Sequence, residues 1–238
     1  METIICPKCA GNEFWKTKDK RVKCKNCKYL FKPKDNPLNI PNEKLKEIIS
    51  EFILENSIQA ISNKVQISKY KLIKIFTILR ELISLDFPLE IREVLKIEPN
   101  LNKTELNPRR RPIIGVFSYK DWVFAKILPE IKPKEIKIFI ENKNFEPTEE
   151  WQKNFALIYN KKLYRFGNEN QEDTINEFWR YLIEKISSKG GIRKNKIHLF
   201  LGEYVWRFNN RKKDLKEKEE KIFHLLNEFF KNKKIDII

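Results

Sequence analysis

No apolar run in this chain approaches the roughly 20 residues that a membrane-spanning helix needs, and no cysteine occurs after Cys27. The first absence argues against a helical membrane span and sets the expectation of a cytoplasmic protein with no membrane partner. The second argues against a disulfide-stapled secreted scaffold. Met1–Cys6 leads straight into a cysteine motif, so no signal peptide is expected either. Acidic residues are also in short supply. There are 33 Asp and Glu against 49 Lys and Arg, a formal charge of +16. That excess points to a polyanionic partner, most often nucleic acid, bound through phosphate neutralisation and counterion release. Lysine codon bias accounts for many lysines but not for their uneven placement.

What is present suffices for a core. Of 238 residues, 41% are hydrophobic, enough for one mid-sized domain with small appendages. The first module, expected over residues 1–34, contains Cys6, Cys9, Cys24 and Cys27 in a CxxC–x14–CxxC pattern. Each CxxC turn can aim two thiolates at one ion, and the residues between the pairs allow a hairpin to return the second. Four thiolates match tetrahedral structural zinc and leave no open position for catalysis; the alternative, a redox pair or an iron–sulfur cluster, lacks a thioredoxin-like or ferredoxin-like context here. So small a module buries too little apolar surface to fold alone, which makes the metal part of its folding free energy. Lysines and the aromatic residues Phe14, Trp15, Tyr29 and Phe31 interleave around the cysteines. The aromatics can serve as a tiny core, and the lysines as a solvated or nucleic-acid-facing surface.

A proline- and asparagine-rich linker, "PKDNPLNIPN", precedes a second module expected over 43–86. Glu43–Glu55 has helical periodicity. The following stretch has the pattern of a helix-turn-helix, with Ile58, Ile61 and Val65 on one apolar face, a turn at Gln66–Ile67, and Ser68 as the N-cap of the next helix. On that helix Leu72, Ile75, Phe76 and Leu79 face inward, leaving Lys69, Tyr70, Lys71 and Lys74 outward as candidate contacts to double-stranded DNA. A helical hairpin within a bundle would show the same periodicity.

From 87 to 238 the pattern is strands, then helices. "LEIREVL" alternates as a half-buried strand. A loop containing Arg109, Arg110 and Arg111, further candidates for phosphate contact, leads to the strands "PIIGVFS" and "WVFAKIL". "EIKIFIE" is expected as a fourth strand and "KLYRF" as a short fifth. Helices then follow in "TINEFWRYLIEKI", in "NKIHLFLGEYVWRFNNR" and over Leu215–Asn232. The expected fold class is multidomain α+β, ending in an α/β layer with a mixed sheet.

The order of parts, with "RRRPIIGVFS", "TINEFW" and "LGEYVWRFNNR" in sequence, resembles the insertion-sequence transposases that carry an N-terminal zinc ribbon, a helix-turn-helix and a DDE domain of RNase H-like fold. The last piece is similar to that family's closing L-x-E-x-x-x-R-[FY]-N motif. The resemblance implies DNA strand transfer at the element ends by a homo-oligomer on DNA, nucleoid-associated when bound. It also implies Mg²⁺ or Mn²⁺ held by three oxygen ligands. Matched to the family motifs, the second ligand would be Glu141 and the third Asn176, while the first, an Asp in the family, falls on Arg92.

A fixed positive charge about 4 Å from a divalent ion is repulsive by roughly 8 kcal/mol at an effective dielectric near 20. Glu93, the next residue, would point to the opposite face of a strand unless a bulge re-aimed it. Two readings stay open. One is a working transposase with an unusual ligand set drawn from Glu90, Glu93, Glu141, Asn176 and Asp173. The other is a catalytically inactive, co-opted transposase or zinc-ribbon DNA-binding regulator.

Overall fold

The computed structural model describes residues 6, 8–9, 11–17, 21–31, 38, 40–89, 92, 112–128, 153–165, 173–188 and 196–232. Among them lies a small N-terminal sheet of β1 (Phe14–Lys16), β2 (Val22–Cys24) and β3 (Leu30–Phe31), in antiparallel order. Three helices follow: α1 (Asn42–Ile53), α2 (Ile58–Val65) and α3 (Lys69–Ile83). A second, four-stranded sheet is built from β4 (Ile114–Tyr119), β5 (Trp122–Ile127), β6 (Phe155–Tyr159) and β7 (Lys162–Arg165). The chain then forms α4 (Thr174–Ser188), α5 (Ile197–Asn209) and α6 (Leu215–Asn232). The protein is thus mixed α+β. No helix among the described residues is long and apolar enough to cross a membrane.

The larger sheet has the order β5-β4-β6-β7, and every pair in it is antiparallel. This corrects the expected mixed sheet for the described strands. Strand β4 is paired on one side with β5, through Phe117↔Phe124, and on the other with β6, through Ile114↔Ile158. Both of its hydrogen-bonding edges are therefore filled by these two strands. The hairpin from β6 to β7 closes through Asn160 and Lys161, both left-handed, at φ 52° and 66°. Two successive positive φ values match the right-handed strand twist of a two-residue hairpin.

The stretch read as a strand at "LEIREVL" also needs correction. Leu89 and Arg92 are helical, and the Arg92 amide donates to the Pro88 carbonyl at 3.1 Å. Pro88 thus stands as the residue just before the helical turn, as Pro41 does before α1, its carbonyl accepting the first intrahelical bond. The Arg92 guanidinium donates to the Leu85 carbonyl at 2.6 Å. The expected strand over Glu135–Glu141 lies outside the described residues.

Helix α5 is the hinge of the packing. Leu201, Tyr204, Val205 and Phe208 pack with Val116, Ala156 and Ile158 of the sheet and with Phe178 of α4. From another face, Trp206 enters a second core with Leu45, Ile49 and Phe52 of α1, Leu72, Phe76 and Leu79 of α3, and Ile222 and Leu226 of α6. The helices on either side of residues 86 and 87 thus share one core. Gly202 permits the close approach: a Cβ there would lie 2.5 Å from the Ser84 Cβ just beyond α3.

Candidate metal centre and nucleic-acid interface

The ribbon brings together the four cysteines picked out by their spacing. Cys6 and Cys9 lie before β1, Cys24 ends β2 and Cys27 follows in the next turn. Each pair is shaped by its own backbone. The Cys6 amide donates to the Gly11 carbonyl at 2.8 Å, and the Lys28 amide to the Cys24 carbonyl at 3.0 Å, with Lys28 left-handed at φ 62°. All four Sγ atoms lie within 4.8 Å of one another, Cys6–Cys27 and Cys9–Cys24 at 3.5 Å each. A tetrahedron of sulfurs bonded to zinc at about 2.3 Å has edges of about 3.8 Å. The four thiols therefore already sit at the spacing a zinc ion needs, and they can hold a metal such as zinc.

The protonation of this cluster is uneven. The Cys27 backbone amide is the largest influence on Cys24 and, with the Asn26 amide, lowers that thiol to about 7 against the effect of burial. At Cys9 the Gly11 amide pulls downward, but hydrogen bonds shared with Cys27 and Cys24, together with burial, outweigh it and raise the thiol to about 12. The Cys24 thiolate is thus favoured, while the Cys9 thiol holds its proton. A divalent cation replaces the thiol protons as the counter-charge.

Helices α2 and α3 and the turn between them lie where the periodicity places them. Ser57 caps α2 by accepting from the Ala60 amide at 3.2 Å, and Ser68 caps α3 by accepting from the Lys71 amide at 3.3 Å. Between them Gln66 is left-handed at φ 55°, and the Ser62 hydroxyl donates to the Ile67 carbonyl at 2.7 Å, which fixes the turn. Leu72, Ile75, Phe76 and Leu79 are buried. Lys69, Tyr70 and Lys74 are exposed, and Lys71 is half-buried. Tyr70 is 69% exposed, with the Lys74 ammonium 4.7 Å from its ring centre. The first turns of α3 thus present cations and an aromatic ring beside a helix N-terminus, whose positive dipole end favours anions. Arg109, Arg110 and Arg111 lie outside the described residues.

The residues expected to bind catalytic metal are not brought together in the described part. Glu90, Glu93 and Glu141 fall outside it. Asn176 lies in the first turn of α4 and is buried. Its amide donates to Asp173 Oδ1 at 3.1 Å, so Asp173 serves as a cap for the helix. The other Asp173 oxygen lies 2.7 Å from the buried Arg165 guanidinium. Asp173 is committed to these two tasks.

The closing stretch "LGEYVWRFNNR" holds the structure together at a place sequence reasoning did not foresee. Glu203 is almost fully buried between Arg80 of α3 and Arg207 of its own helix. Arg207 donates to the carbonyls of Phe52 and Ile53 at 2.6 and 2.7 Å. It thereby satisfies the free carbonyls at the end of α1, where a cation is favoured. Asn209 accepts from the Val123 amide at 2.9 Å and donates to the Val123 carbonyl at 2.8 Å, as a neighbouring strand would. Trp206 Nε1 donates to Asp86 at 2.7 Å. The alternation of charged and apolar residues in this stretch was a signal for such a joint, but not for its partners. No family model matches the chain, and neither a curated protein nor a solved structure matches it.

Proposed function

We propose that this protein binds double-stranded DNA through α3, in a transposase-like arrangement of zinc ribbon, helix-turn-helix and C-terminal RNase H-like domain, and that it does so without cutting the strand. The observation that carries the reading is the outward placement of Lys69, Tyr70 and Lys74 on the second helix of a capped helix-turn-helix. Helices of this kind enter the major groove with their N-terminal residues against base edges, while nearby cations meet phosphates. The +16 charge supplies the long-range attraction. Supporting binding over strand transfer, Arg92 is helical and bonded to the Leu85 carbonyl, and Asp173 is paired with Arg165. Neither is placed to help hold Mg²⁺ or Mn²⁺.

The test is anisotropy of labelled duplexes titrated with the full chain, alongside an assay for joined products in Mg²⁺ and in Mn²⁺. Binding that is weakened by Tyr70→Ala, with no joined product in either metal, is expected. Efficient metal-dependent joining would replace this reading with that of a working transposase. Full affinity in Tyr70→Ala and in Lys69→Ala would remove α3 as the contact.

A further inference from the structure

The outer face of the ribbon carries a row of side chains that its small core does not need. Trp15 of β1 is in register with Lys23 of β2, and Lys23 with Leu30 of β3. All three are exposed, Trp15 at 46% and Leu30 at 39%. The buried side of the ribbon is made instead by Val22 and Cys24, with Phe14 edge-on to Phe31 at 5.6 Å. With Tyr29, 44% exposed, Trp15 and Leu30 leave a group of large apolar side chains on the surface of so small a module. A group of this kind marks a contact site more than a lone exposed residue does. The Trp15 ring is met by the Lys28 ammonium, 4.4 Å from the ring centre.

Charge around the row is mostly positive among the described residues. The described ribbon residues include six exposed bases, Lys8, Lys16, Arg21, Lys23, Lys25 and Lys28, against one acid, Glu13. That acid is paired with Lys25 at 3.5 Å. An exposed aromatic ring among an excess of cations is the surface that takes up an unpaired nucleic-acid strand, because every base has a π face to stack and every nucleotide a phosphate. A duplex hides its base faces in the stack, so it could use the lysines but would leave Trp15 and Leu30 without a partner.

We propose that this face of the ribbon binds single-stranded DNA, with a base stacked on Trp15 and phosphates against Lys23 and Lys28. Trp15 and Leu30 lie about 10 Å apart across two strand spacings, so the row can be followed by more than one nucleotide. This surface is separate from α3, and its use does not depend on what α3 reads.

The experiment uses zinc-loaded full-length protein with labelled oligothymidylate and, in parallel, a labelled duplex. Trp15→Ala should weaken oligothymidylate binding by about tenfold and leave duplex affinity unchanged, while Trp15→Phe keeps most of the single-strand affinity. Lys69→Ala with Lys74→Ala should do the reverse, so failure of the α3 reading is seen separately. Unchanged oligothymidylate affinity in Trp15→Ala overturns the proposal. So does an equal loss on duplex and single strand, which would make the face a phosphate contact alone. If Trp15→Ala loses zinc, Lys23→Gln is read instead, and full oligothymidylate affinity in that variant overturns the proposal.

Discussion

Glu203 on α5 holds Arg80 of α3 at 2.6 Å through one carboxylate oxygen and Arg207 at 2.8 Å through the other. The three side chains are 2%, 13% and 10% exposed, so little water can replace the carboxylate, although Arg207 also has the Phe52 and Ile53 carbonyls and Glu55 at 3.7 Å. Through it the candidate DNA-reading helix is tied to the helix that packs on the sheet. Removing one partner of a buried ionic group leaves uncompensated charge and costs about 3–5 kcal/mol. Glu203→Ala should lose stability of that order in urea denaturation. Glu203→Gln, which keeps a hydrogen-bond acceptor, should lose less. Equal stability of Glu203→Ala and wild type would mean that the joint contributes nothing.

A second prediction concerns the same seam. Gly202→Ala puts a Cβ 2.5 Å from the Ser84 Cβ, so α3 and α5 must shift apart. Overpacking of this kind costs about 1–3 kcal/mol. Ser84→Gly in the same chain removes the obstructing atom and should recover most of the loss in thermal denaturation. Independent, additive losses would place the strain elsewhere.

Much of the helical part could be read from the sequence because its signals are local. The turn at Gln66–Ile67, the cap at Ser68 and the inward set Leu72, Ile75, Phe76 and Leu79 follow from residues within one or two helical turns of each other. The same is true of the cysteine pairs. At Leu89 and Arg92 the chain is helical where "LEIREVL" suggests a strand, because a short apolar alternation fits either element. Strand β6 was missed because "FALIY" is apolar on both faces, and its hairpin turns on Asn160–Lys161 without the glycine that usually marks such a turn. The roles of Glu203, Arg207 and Asn209 were not legible. Their partners Arg80, Phe52, Ile53 and Val123 are far away in sequence.

Zinc should bind at one ion per chain and should be structural. Cys24→Ser removes a thiolate whose partners are set for four-sulfur coordination, so it should lose the zinc while α1–α6 keep their helical signal. Because the thiols must lose protons to bind, zinc affinity should fall as pH falls. Metal analysis and circular dichroism at several pH values check both points. A stable, metal-free ribbon would contradict the assignment.

Glu51 of α1 offers a pH test of the helix-turn-helix. Hydrogen bonds from Lys64, at 2.6 Å, and from Asn56 hold its carboxyl below the ordinary value of 4.5, against the effect of burial. A folded-state pKa below the unfolded one adds stability that is present above the unfolded value and is lost as pH falls through the folded one. Glu51→Gln should therefore lower the melting temperature at neutral pH and converge with wild type in strong acid. A constant difference at all pH values would show that the loss is one of packing.

The measurement closest to the central claim is the salt dependence of duplex binding. Each phosphate contact adds about 0.9 to the slope of log affinity against log salt, so removing Lys69 and Lys74 together should lower that slope by up to about 1.8. The account predicts a shallower slope and weaker binding in Lys69→Ala with Lys74→Ala, with the fold unchanged by circular dichroism. The same slope and the same affinity as wild type would contradict it.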